Sequence, residues 1–200
     1  MLKQPLLLDP VISRASSVTF VRSAILLPLT LLMLVLSSPT WSAEYLPNAT
    51  ANITTPAPTV EIKNFKHPFP GILTGGQPVR EQLVEAKNKG YKTIISLRAR
   101  SETGLWDEGN TVRELGMKYI SIPVSGSSSI SAENSRKLVH SLSDPKDYPI
   151  MVHCGSGDRV GALFALDAGI NQNIAIESAL EIGRKAGLNR LEPAVKKILE

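Results

Sequence analysis

The residues best suited to chemistry stand together in His153-Cys154-Gly155-Ser156-Gly157-Asp158-Arg159, directly after the apolar run Pro149 to Val152 and directly before the small-residue stretch Val160 to Gly169. Successive backbone N–H groups in a tight glycine-rich turn converge on one point, and the N-terminus of the following helix adds partial positive charge there. Such a turn holds an anion. A thiol at its head is the arrangement in which sulfur serves as an anionic nucleophile. Arg159, at the far end of the turn, offers paired planar donors that fit a tetrahedral oxyanion better than a lysine would. The blander alternatives are a buried, inert cysteine and a glycine turn that binds a ligand without reacting with it. Each part of the cluster has its own physical reason, which favours chemistry at Cys154 with Arg159 as its oxyanion clamp.

These residues need a strand to deliver the cysteine and a helix to receive the loop, and the pattern of the chain supplies both. From Phe69 onward short β-branched runs alternate with amphipathic stretches, the signature of a parallel sheet covered by helices. Strands are expected at Gly71 to Thr74, Lys92 to Leu97, Met117 to Pro123 and Pro149 to Val152. Pro78 opens a helix through Lys89 with Val79, Leu83 and Ala86 on one face, closed by Gly90. A loop and helix fill Leu105 to Leu115, and Ser131 caps a helix through Leu142. In the helix after the cysteine loop, Gly161, Ala162 and Ala165 permit close packing; helices at about Ala175 to Ala186 and Leu191 to Leu199 complete the domain. Ligands of such sheets lie beyond the carboxyl ends of the strands, where Arg98, Ser125 and the cysteine loop should meet. Arg98 and Ser125, with Gly155, Ser156, Gly157, Asp158 and Val160, are therefore candidate substrate-binding residues, and His153 a supporting one. Trp106 is placed either over the pocket or in the core.

The segments GILTGGQP from Gly71, TIISLR ending at Arg98, YISIPV around Pro123 and VHCGSGDRVGAL from Val152 resemble the phosphatase-like domain family of beta-lactamase-hydrolase-like proteins, over about residues 69–169. That family sits within the cysteine-dependent, dual-specificity-like phosphatases. The resemblance implies an α/β, three-layer parallel-sheet cysteine-phosphatase-like fold and hydrolysis of a phosphoester, with Cys154 as nucleophile and Arg159 as oxyanion binder. It also implies that His153 orients the cysteine backbone. Three departures matter. Four residues separate Cys154 from Arg159, whereas ordinary cysteine phosphatases place five there; four is the spacing of rhodanese-like sulfurtransferases and is shared by the phosphatase-like family. The segment Val124 to Ser129 carries no aspartate where such phosphatases keep a general acid, and Val160 stands where a hydroxyl normally assists breakdown of the intermediate. Loss of a general acid costs about 10² to 10⁴ in rate, so slow turnover is expected. The alternatives are a sulfurtransferase or sulfur-handling enzyme and a catalytically silent phosphate-binding module.

The first part of the chain reads as an address. Ser23 to Ser38 are uncharged, follow Arg14 and Arg22, and span about 24 Å as a helix, less than the roughly 30 Å hydrocarbon core. Residues 1–43 are thus expected to be a signal peptide or, if uncleaved, an N-terminal anchor, making the protein exported, periplasmic or secreted. Residues 44–60 read as a flexible linker and 61–200 as the phosphatase-like catalytic domain.

With 200 residues, 42% of them hydrophobic and 20% charged, the sequence has room for one domain. A single cysteine excludes an internal disulfide, and His67, His140 and His153 lack metal-ligand spacing. Only 5% of residues are aromatic and the formal charge is +4, so nucleic acid is not an expected partner. The expected partner is a phosphorylated small molecule or phosphoprotein, the membrane being touched only through residues 23–38 if these are retained. The chemistry calls for no cofactor and no metal.

Overall fold

The sheet begins with a hairpin whose turn is Pro70-Gly71. Gly71 has φ +70°, which suits the third position of a Pro-Gly turn, and the turn pairs β1 (Lys66–Phe69) antiparallel with β2 (Ile72–Gly75). The structure, a computed structural model, describes residues 53–102, 106–125 and 127–200. The expected leader and residues 44–52 of the expected linker lie outside these. Three further strands, β3 (Thr93–Ser96), β4 (Lys118–Ser121) and β5 (Ile150–His153), complete a five-stranded sheet of order β1-β2-β5-β3-β4. All pairings except β1 with β2 are parallel. The expected parallel sheet is thus present, extended by one antiparallel edge strand. Lys66–Phe69 escaped notice because its sequence, KHPF, contains proline and leaves its first two residues exposed, which erases the alternation that marks a strand.

Alternate residues of the central strands feed two cores, as period-two geometry requires. Ile72, Ile95, Ile150 and Val152 face one side, where they pack with α3 (Ala132–His140), α4 (Asp158–Leu166), α5 (Ile176–Lys185) and α6 (Glu192–Leu199). Leu73, Ile94 and Met151 face the other side, with Leu83 of α1 (Arg80–Asn88) and Val112 of α2 (Glu108–Glu114). The result is a three-layer α/β arrangement. Val79 does not share the buried face expected for it: it precedes α1, exposed, and its amide donates to Gln82 Oε1 at 2.9 Å.

The linker reading also needs correction in its second half. Ala57 and Val60 are buried, the Gly71 amide donates to Thr55 O at 2.9 Å, and Tyr91 Oη donates to Pro58 O at 2.5 Å. Composition suggested a tether, but Ala57 and Val60 pack into the core on the α1 side, and Ile53 packs against the opposite core.

The small residues of α4 behave as expected. A Cβ on Gly161 would stand 2.0 Å from Leu188 N and 2.5 Å from Gly183 O, so the backbone of the α5–α6 connection lies directly on α4. That contact brings residues 187–191 to the mouth of the cysteine loop.

Candidate active site

The parallel register aligns Gly75, His153 and Ser96 at the carboxyl ends of β2, β5 and β3, so Cys154 leaves the middle of the sheet. Its amide donates to Gly75 O at 3.2 Å, and Gly76 and Ser156 form an isolated bridge that ties the loop to the β2 end. Gly157 reverses the chain at φ +94°, a conformation that costs other L-residues strain, and thereby turns its N–H back to Cys154 Sγ at 3.1 Å. The sulfur lies on an apolar floor, 1% exposed, with one amide donor aimed at it.

Arg159 turns inward. Its Nη1 donates to Glu102 Oε1 at 2.7 Å and to Val124 O at 2.6 Å, and its Nη2 donates to Glu102 Oε2 at 2.7 Å. This end-on bidentate pair fixes the guanidinium plane and leaves Nε outside these bonds. The hydrogen bonds from Arg159 hold the Glu102 carboxyl down to about 2, against a smaller upward push from burial. The same bonds raise the Arg159 pKa, with burial opposing and the nearby Cys154 sulfur adding to the rise. Sulfur and guanidinium therefore share one electrostatic neighbourhood. Arg159 borders an open hollow of about 740 Å³ lined also by Gly155, Ser156 and Ser125, with Lys63 and Arg190 at its edges, and Cys154 lies buried beneath the loop that forms its wall.

Several expected site residues have other tasks. Val160 is wholly buried in the core, so its side chain cannot reach a ligand. Asp158 is nearly buried at the edge of the hollow, and its Oδ1 is taken by the amides of Asn189 at 2.8 Å and Leu191 at 3.3 Å. Arg98 does not line the cysteine hollow. Its Nη1 donates to Gln77 Oε1 at 2.7 Å and its Nη2 to the Glu102 carbonyl, and it borders a separate hollow with half-buried Trp106 and Tyr119. A strand-end arginine finds these carbonyl acceptors before it finds solvent.

Sequence reasoning missed the residues that close a polar ring beneath the loop. Glu108, 3% exposed, accepts from Gln77 Nε2 at 2.7 Å and Tyr119 Oη at 3.2 Å. His153 Nε2 lies 3.1 Å from Glu108 Oε1, at ion-pair distance though out of line for a full hydrogen bond. Burial pushes the Glu108 carboxyl up, but His153, Gln77 and Tyr119 together outweigh it and leave the group below its ordinary value. The ring runs from His153 through Glu108, Gln77, Arg98 and Glu102 to Arg159, entering and leaving the cysteine loop at its two ends. In the sequence nothing local marks either acid: Glu108 opens the first turn of α2, and Glu102 stands in a polar stretch.

A strand-to-helix loop carrying cysteine and an inward arginine, on a mostly parallel three-layer sheet, defines the cysteine-phosphatase class of α/β domains. The chain belongs to the family described as DSP-PTPase phosphatase fused to NAD+ kinase, whose model matches residues 62–187. A beta-lactamase hydrolase-like protein from Xylella fastidiosa is 27% identical over 122 residues, 59% of this chain and 28% of the relative. The chain thus spans less than a third of that relative's length. Among solved structures, a DUF442 phosphatase-like protein from Shewanella putrefaciens CN-32 aligns with TM-score 0.52 at 21% identity, over 70% of this chain and 92% of its own. P. aeruginosa TpbA, solved in complex with pTyr, aligns with TM-score 0.54 at 14% identity, covering 75% and 90%. The core catalytic domain of a PP-IP phosphatase from S. cerevisiae aligns with TM-score 0.51 at 20% identity, covering 74% and 88%. At these identities the structural likenesses establish the fold.

Proposed function

We propose that the protein is an exported, cysteine-dependent phosphatase that hydrolyses a phosphoester through a phosphocysteine intermediate. The observation that carries this reading is that one loop brings Cys154 Sγ, its Gly157 amide donor and the Glu102-anchored Arg159 into one electrostatic neighbourhood. In the first step the sulfur attacks phosphorus, the P–O ester bond breaks, and the leaving alkoxide takes its proton from solvent. In the second, water cleaves the P–S bond, giving inorganic phosphate and restoring the thiolate. Arg159 and the loop stabilise the equatorial oxygens in both steps. Glu102 and Asp158, the carboxylates lining the hollow among the described residues, are committed to Arg159 and to backbone amides respectively. Neither is available as a proton donor. Turnover therefore depends on a leaving group that departs unassisted, and aryl phosphates should outpace alkyl phosphates by roughly 10² or more.

The test compares wild type with Cys154→Ser on an aryl phosphate, and separately on thiosulfate with cyanide as acceptor. Aryl phosphate hydrolysis lost in the variant is the expected result, and hydrolysis that persists would remove the covalent mechanism. The four-residue gap between Cys154 and Arg159 favours a second reading, sulfur transfer, which turnover of thiosulfate alone would establish. Phosphate binding with neither activity would identify a silent binding module.

A further inference from the structure

The cysteine hollow has two cationic lips, and the loop itself builds both. On one side, Lys63 sits in a turn closed by the Phe65 amide donating to Ile62 O at 3.2 Å, with Asn64 held at φ 54°. That left-handed conformation aims Asn64 Nδ2 at Ser156 O, 3.0 Å away within the cysteine loop. The Gly76 amide donates to Lys63 O at 2.7 Å, pinning the turn to the end of β2. On the other side, Asp158 Oδ1 accepts the amides of Asn189 and Leu191, the two neighbours of Arg190. Its Oδ2 stands 3.9 Å from Arg190 Nε, while the Arg190 side chain remains 82% exposed. Among the described residues no carboxylate lies within salt-bridge distance of the Lys63 ammonium. The cysteine loop thus uses Ser156 and Asp158 to fix the backbones of two exposed cations at the edge of one hollow.

The geometry points to a second anion subsite formed by Lys63 and Arg190 at the mouth of the hollow that the cysteine loop and Arg159 line, selecting compact substrates that carry a second phosphate near the scissile one. This deepens the phosphatase reading and rests on the Cys154 loop being where the first phosphoryl group docks. With one group held by Arg159, a monoester leaves both outer cations unused, whereas a neighbouring phosphate meets two cations whose backbones are already anchored at the edge of the hollow. Arg184, which borders the adjoining hollow, is spent on Glu177, Glu181 and Glu192 and adds nothing to this mouth.

The test titrates the full chain carrying Cys154→Ser calorimetrically, in metal-free buffer, with orthophosphate, pyrophosphate and tripolyphosphate. A condensed phosphate should bind at least about tenfold more tightly than orthophosphate, and the preference should shrink as salt rises, as exposed charges require. Adding Lys63→Ala or Arg190→Ala should each cut the ratio of the two affinities about three- to tenfold, and Lys63→Arg should retain it. Equal affinities in the parent, or a ratio that survives the double variant, would overturn the subsite. A monophosphorylated peptide with acidic flanks that binds more tightly than tripolyphosphate would overturn the compact-substrate assignment. The two readings fail separately: a preference that disappears with Lys63 and Arg190, in a wild type that hydrolyses no phosphoester, sinks the phosphatase and keeps the subsite. Hydrolysis without preference does the reverse.

Discussion

Glu102 decides whether Arg159 can work. An arginine at the rim of an open hollow has many rotamers, and ordering it costs conformational entropy. Two 2.7 Å hydrogen bonds donated to one carboxylate, with the Val124 carbonyl accepting from the same Nη1, settle that plane before any ligand arrives. Glu102 is a positioning residue. Replacing it by Gln should lower kcat/KM on an aryl phosphate roughly 10²-fold, the scale of a misplaced catalytic group, while Glu102→Asp recovers part of the loss. The pH behaviour follows from the carboxyl being held near 2 in the fold against an ordinary value near 4.5. A depressed folded-state value means the pair stabilises the protein in full above about pH 4.5 and loses that contribution as pH falls toward 2. Denaturant unfolding of wild type and Glu102→Gln should show a constant stability gap from pH 7 to about 5 that closes on further acidification. A gap unchanged at pH 3 would mean that Glu102 acts through packing rather than charge.

At the scale of elements, α4 presents the loop and the α5–α6 connection lies on α4, so one glycine controls both. A Cβ at Gly161 would strike backbone atoms at 2.0, 2.5 and 2.6 Å, and backbone cannot swing aside. Gly161→Ala should cost roughly 3 kcal/mol, at the upper end of overpacking effects, read from the denaturation midpoint. An unchanged midpoint would show that the connection is free to move. Glu108 lies against His153 of β5 and accepts from Gln77 and Tyr119, and a buried donor left without its acceptor costs about 1–3 kcal/mol, so Glu108→Ala should be among the most damaging single changes. The legibility of this site in the sequence divides along the same line. Strand, cysteine loop and helix could be read because their signals are local: an apolar run, glycines, then small helical residues. Glu102 could not, because its partner lies 57 positions away and an acid in a polar stretch resembles any surface acid. Arg98 and Asp158 misled for a related reason: residue type and proximity to the loop announced anion chemistry, whereas carbonyl and amide partners brought by other elements claimed their polar groups.

In the whole molecule, residues before the sheet and residues after the cysteine loop meet at the same mouth, so distant packing should be felt in substrate choice. Val60 and Ile62 are buried against the α1 side, and Ile62 touches the β2 end so closely that a Cβ on Gly75 would stand 2.6 Å from its Cδ1. Lys63 follows immediately and is tied to the loop through Asn64. Composition marked residues 44–60 as a tether because they show no apolar period, yet among the described ones Ala57 and Val60 are buried in the core on this side of the sheet. Truncating Val60 to Ala removes two buried methyl groups and leaves a small cavity, for a cost of about 2 kcal/mol. The more telling consequence is functional. If the segment merely covers the sheet, Val60→Ala lowers the denaturation midpoint and leaves the ratio of pyrophosphate to orthophosphate affinity where it was. If it also sets the position of Lys63, as the Lys63 carbonyl and Asn64 contacts indicate, the ratio falls with the stability, measured well below the unfolding transition so that only folded protein is titrated. We expect the second outcome, by a smaller factor than Lys63→Ala itself, because the Asn64 bond to Ser156 still holds the turn when the packing behind it loosens.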